Sequence, residues 1–143
     1  MPRLKTRAQF QSVLAHATCA RTSHFALHVL PLDAAFRAGD AVVTSEGETP
    51  ALAALFPGGG VWLGAMTPKR WARRAVTRNA IRRQIYALTL AEGAPPAGPA
   101  HVAWVVRLRA EFSRKTFVSA SSDALRQAVR AELRVLWSRA VMP

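Results

Sequence analysis

Acidic residues are scarce in this sequence: eight Asp and Glu stand against twenty Lys and Arg, for a formal charge of +12. None occurs before Asp33, and none lies between Glu48 and Glu92. Charge so one-sided points to a polyanionic partner, and a nucleic acid is the first to consider. Cysteine is reduced to Cys19, which excludes an internal disulfide and fits a reducing compartment, with the cytoplasm expected. No apolar run reaches the length that spans a bilayer, so no membrane association is expected. The opening MPRLKTRAQF carries charge with no apolar stretch behind it, and a signal peptide is not expected.

Catalytic patterns are missing as well. His16, His24, His28 and His101 show neither HExxH spacing nor a cysteine partner, so no metal site is expected from side chains alone. Only Glu46 and Glu48 stand close together among the acids, in a segment read as a loop. The PGGG run at 57–60 lacks the Gly-Lys-Ser/Thr ending of a phosphate cradle. If the chain serves an enzyme, another component supplies the chemistry.

What is present is enough for one α+β domain over 1–143. Thr6 is placed to cap a short helix running to about Ala17, with Phe10, Val13 and Leu14 on one face. His24 to Leu30 alternates as a strand, with Phe25, Leu27 and Val29 on one side and His24, Ala26 and His28 on the other. Residues 38–60 read as a hairpin or loop insertion. Val61–Met66 follows as a buried strand, in which Gly64 marks a close backbone approach. A basic helix is expected from about Trp71 to Leu90, its core stripe being Ile81, Ile85 and Leu88. His101–Arg109 is a strand buried on both faces. A last helix, capped by Ser122 or Asp123, carries Leu125, Val129, Leu133, Leu136 and Trp137 inward. Its Arg126, Arg130 and Arg134 read as a solvent face.

The strongest signal is KRWARRAVTRNAIRR, seven basic residues in fifteen positions with no acid. On a helix, Arg74, Arg78 and Arg82 would stack at i, i+4 and i+8, where like charges cost a few tenths of a kcal/mol per pair. A phosphate backbone would relieve that cost. Arginine outnumbers lysine seventeen to three, which suits bidentate phosphate contact, although a GC-rich genome produces the same bias. Phe10 and His28 are the candidates for stacking on bases, although a lone phenylalanine such as Phe10 is more often core than platform.

These residues carry a family likeness. WLGAMTPKRWARRAVTRNAIRR resembles the signature of the bacterial ribonuclease P protein component: Gly64, the Lys69–Arg70 pair, Ala75, Arg78, Asn79, Ile81, Arg82 and Arg83 stand in its order and spacing. RLKTRAQFQSVL, TSHFALHVLP, HVAWVVRLR and DALRQAVRAELRVLW resemble its first helix, first strand, last strand and closing helix, so that 38–60 alone is left uncovered before residue 140.

The resemblance implies an αβββαβα sandwich with a central mixed sheet, the arginine helix joining two parallel strands by a left-handed crossover. That hand runs against a rule obeyed by about 98% of such connections. It further implies a protein subunit that binds a catalytic RNA and the 5′ leader of precursor tRNA and assists removal of that leader. Hydrolysis would be carried by the RNA, with Mg²⁺ in the holoenzyme and no obligate protein partner. By position, Lys69, Arg70, Arg74, Arg78, Asn79, Arg82 and Arg83 would meet RNA, while Phe10, Leu14 and His28 would line the leader cleft.

Departures from the family pattern are Ala80 for an arginine, Tyr86 and Ala87 for a basic and an acidic residue, Leu14 and His28 for aromatics, and Pro68 for a small polar residue. A ribosomal or general RNA-binding protein is the alternative; it explains the charge but not the spacing of Gly64 and Arg78–Asn79. A nuclease in its own right would need a carboxylate or histidine site that the sequence does not display.

Overall fold

The computed structural model describes residues 1–36, 48–95, 99–113 and 122–140. Helix α1 (Arg7–Leu14) starts where Thr6 accepts from the Gln9 amide and the Gln9 side chain returns the bond to the Thr6 amide. That reciprocal cap satisfies two amides the helix would otherwise leave orphaned. Strands β1 (Ala17–Arg21) and β2 (Phe25–Pro31) follow, then short helices α2 (Asp33–Phe36) and α3 (Glu48–Leu55). Strand β3 (Val61–Met66), helix α4 (Ala75–Glu92), strand β4 (Val102–Leu108) and helix α5 (Asp123–Arg139) complete the chain. Without α2 and α3 the order is the αβββαβα expected.

The sheet runs β1-β2-β4-β3. β2 is antiparallel to β1 and to β4, whereas β3 and β4 are parallel and joined through α4. Both faces are covered, which is why β2 and β4 are buried along almost their whole length. On one face, Phe25, Leu27, Trp104 and Val106 meet Ile81, Ile85 and Leu88 of α4 and Leu125, Val129 and Leu133 of α5. Each such large side chain contributes roughly 1.5–3 kcal/mol by leaving water. On the other, Leu30, Trp62, Ala103 and Val105 meet Val13, with Phe10, Leu14 and Leu55 packed alongside.

Three sequence expectations need correction. α1 stops at Leu14, and Ala17–Arg21 is a strand, so the alternating segment after it is β2. ATCAR is short and weakly patterned; pairing with β2, through an irregular register between Thr18 and Ala20, makes it a strand. Second, 38–60 is not a hairpin or loop throughout, since Glu48–Leu55 is helical; residues 38–47 of that stretch lie outside the described part. Third, the basic helix begins at Ala75, not near Trp71, after a turn in which Trp71 and Ala72 both donate to the Pro68 carbonyl.

The outer edge of β3 is occupied. Leu4 donates to the Leu63 carbonyl at 2.9 Å, Leu63 donates to that of Pro2 at 3.1 Å, and the Ala65 amide donates to the Tyr86 hydroxyl at 3.2 Å. Among the described residues, no helix is long and apolar enough to cross a membrane.

Candidate nucleic-acid interface

The Pro68 turn presents Lys69 and Arg70 as exposed side chains at the entrance to α4. Arg70 lies 5.2 Å from the Trp71 ring centre, a cation over an aromatic face. Arg74 is the N-cap of α4, with an extended backbone (φ −81°, ψ 133°) and no side-chain cap, and the first turn holds no acid. The positive end of the helix dipole therefore sits among Arg73 and Arg74 with nothing of opposite sign in the turn. Arg74 is exposed but stands outside the helical row expected of it.

Arg78 is half-buried and turned back on the chain: its Nη1 donates to the carbonyls of Ala72 (2.9 Å) and Arg73 (2.8 Å). It braces the turn that displays Lys69 and Arg70. Arg82 donates from Nη1 to Asn79 Oδ1 and from Nη2 to Thr67 Oγ1, both at 3.1 Å. This fixes Asn79 with its oxygen engaged and its NH₂ left to donate. Arg83 is exposed on the same helix. Among the described residues the ion pairs are His24–Glu132, Arg126–Asp123 and Arg134–Glu92, and none involves the seven basic residues of 69–83.

Ala80 is buried at 8% exposure and lines a small cavity between α4 and α5 with Arg83, Gln84 and Arg126. The arginines of α5 are not a plain solvent face. Arg130 donates to Gln84 at 3.1 Å and Arg134 grips Glu92 at 2.7 Å, tying α5 to α4. The Glu92 carboxylate in turn raises the Arg134 pKa.

The three residues assigned to a leader cleft share one side of the sheet, where Phe10 and Leu14 pack and where His28 points, but only Phe10 lines an open cavity there. Phe10 helps line an open cavity of about 430 Å³ with Ala65, Met66, Thr67 and Pro68, beside the Pro68 turn. Leu14, the last residue of α1, is partly buried against the sheet and does not line it. His28 is 6% exposed and hydrogen-bonded within the sheet, so it offers no free ring face. Arg107 Nε donates to His28 Nε2 at 3.1 Å, which leaves Nδ1 to carry the proton toward Thr18 Oγ1 at 3.3 Å. Burial, then the charges of Arg107 and Arg21, pull the His28 pKa down to about 4.

Sequence reading missed two further contributors. Cross-strand register places Arg21, Ala26, Arg107 and Met66 in one row, on the face that carries His28. Burial and the neighbouring charges of Arg109, Arg21 and Arg70 lower the Arg107 pKa, the mark of a cationic cluster without enough counter-charge. The register itself was not legible in single strands. Arg3 is the second: its guanidinium lies 3.8 Å over the Tyr86 ring. Among the described residues, no group of three or more His, Cys, Asp or Glu side chains could hold a metal ion.

A four-stranded mixed sheet, flanked by a basic turn and a helix with no acid before its last residue Glu92, defines a small α+β domain with one strongly cationic flank. The family model described as Ribonuclease P matches residues 2–140, and the chain belongs to the ribonuclease P protein family. The structure of the Staphylococcus aureus RNase P protein is similar, with a TM-score of 0.59 at 14% identity, covering 96% of this chain and 94% of that one. The RNase P protein from Thermotoga maritima gives 0.55 at 13% identity, covering 96% and 97%. Identities this low carry the fold alone. No match was found among curated protein sequences.

Proposed function

We propose that this protein is the RNA-binding subunit of a ribonuclease P ribonucleoprotein, acting in the cytoplasm on precursor tRNA to yield mature 5′ ends. The observation that carries the reading is the acid-free surface of Lys69, Arg70, Arg74, Arg82 and Arg83, in a chain of this family, with no ion pair to neutralise it among the described residues. Exposed guanidinium groups contact phosphates bidentately and release the counterions condensed on them. Arg78 acts partly by bracing the turn, and Asn79, oriented by Arg82, offers an NH₂ to RNA. The Phe10 cavity, with its apolar walls, suits the leader strand.

Mg²⁺ would supply the activated water of phosphodiester hydrolysis. The side chains described here do not fit a protein-held Mg²⁺, so its ligands are assigned to RNA and no step is routed through this chain. The chain's own part is to hold the RNA and position the leader.

The test is reconstitution. The protein is added to precursor tRNA at modest Mg²⁺, with and without a bacterial ribonuclease P RNA. Cleavage enhanced only when both are present supports the proposal. Cleavage by the protein alone would make it a nuclease, and RNA binding with no effect on cleavage would make it a general RNA-binding protein.

A further inference from the structure

Beside α4, the chain's first residues close off a cavity of about 730 Å³ whose lining includes Arg3, Asn79, Arg82, Arg83, Tyr86 and Leu90. Its walls follow from the β3 edge. Residues 2–4 run along β3, bonded to Leu63 on both sides, and Tyr86 is fixed by its hydroxyl to Ala65. That pairing sets Arg3 directly over the Tyr86 ring at 3.8 Å, one face of the guanidinium covered. Three guanidinium groups and no acid line the space, and its volume falls in the range of small-ligand sites. Leu90, 91% exposed, adds an apolar wall at the rim.

The geometry points to a pocket for a single unpaired nucleotide of the RNA subunit, its base stacked on the Arg3–Tyr86 pair and its phosphate held by Arg82 and Arg83. The inference rests on the RNA-subunit reading above. A planar cation lying on an aromatic ring is a stacking platform for any base. Asn79, its oxygen held by Arg82, keeps its NH₂ for a base edge or a ribose oxygen. An acidic protein segment would meet the charge equally well but would make no use of the flat Arg3 surface. That difference makes the pocket testable.

Binding of the full-length protein to a bacterial ribonuclease P RNA would be measured across a salt series for Arg3→Ala, Arg3→Lys, Tyr86→Leu and the Arg78→Ala/Arg82→Ala pair. Thermal melts confirm that each variant is folded. Arg3→Lys, which keeps charge and loses the plane, should weaken binding about five- to tenfold with the salt slope unchanged, and Tyr86→Leu should do likewise. Arg3→Ala should weaken it at least as much. If Arg3→Lys binds like the parent, stacking is not used and the nucleotide pocket is overturned. If the Arg3 and Tyr86 variants all bind normally while the Arg78/Arg82 pair binds weakly, the pocket falls and the RNA-subunit reading stands. If no variant changes affinity, both fall.

Discussion

The ring of Phe10 rests on the backbone of Gly64. A Cβ at that position would lie 2.7 Å from Phe10 Cε1, 3.0 Å from its Cζ and 3.1 Å from Leu4 Cβ. The first helix and the third strand thus meet through a missing side chain, and the wall of the Phe10 cavity depends on it.

Gly64→Ala should therefore push Phe10 off β3. Overpacking of this kind costs about 1–3 kcal/mol. Because the clashing atoms of Phe10 are at the far end of a side chain, pairing the change with Phe10→Leu should recover much of the loss. Denaturant titration of the two single variants and the double gives the coupling; strict additivity would show that the two positions do not share a site. Cleavage of precursor tRNA by the reconstituted particle should suffer more than affinity for the RNA subunit.

Arg78 and Arg82 differ in what they hold. Removing both should reduce the dependence of log K on log salt by roughly one unit per lost phosphate contact. Arg78→Ala should also lower the melting temperature, since the carbonyls of Ala72 and Arg73 lose their donor. Arg82→Ala should leave the melt closer to the parent's. A salt slope unchanged in the double variant would show that neither residue meets the RNA backbone.

His28 makes stability depend on pH. Its pKa of about 4 lies below the ordinary 6.5, so between these values the unfolded chain binds a proton that the folded one refuses. Stability contributed by the neutral ring is complete above pH 6.5 and is lost as pH falls toward 4. The loss by pH 5 is on the order of 1–2 kcal/mol. Replacing His28 with Gln should flatten this part of the profile. NMR titration of the His28 ring showing a pKa near 6.5 would contradict the account.

Glu132 anchors α5 to the turn between β1 and β2. One carboxylate oxygen accepts from Thr22 Oγ1 at 2.6 Å and from the His24 amide at 2.7 Å; the other lies 2.7 Å from His24 Nδ1. The His24 ring stacks on Phe112 at 3.9 Å. Glu132→Ala should cost about 2–3 kcal/mol, because donors that are partly buried lose a charged acceptor. RNA affinity should be kept in the folded fraction; a large fall in affinity at full folding would move Glu132 out of the scaffold.

Much of this was written in local sequence. A lone glycine in an apolar strand announced a close approach, and the core stripes of α4 and α5 follow directly from periodicity. Thr6 was legible as the cap of the first helix, and the Gln9 that completes its capping box stands three residues on. What escaped depends on partners distant in the chain. ATCAR became a strand only by pairing with β2. His28 looked like an outward ring until register set Arg107 beside it, and Arg78 looked like a free cation until the turn brought two carbonyls to it. The same holds for Arg3 and Tyr86, far apart in the chain and stacked in the fold. Charge count suggests the sign of a partner; three-dimensional placement separates arginines left exposed, such as Arg83, from those that brace the protein, such as Arg78.

The closure of β3 has a consequence for association. A strand with free amides and carbonyls along one side is a template on which another polypeptide can extend the sheet. Here Pro2, Leu4 and the Tyr86 hydroxyl take up hydrogen-bonding positions of Leu63 and Ala65 before a second copy can. Trimming the first four residues should therefore reopen a sticky margin beside the basic helix, and such a truncated chain should self-associate when no RNA is present to cover it.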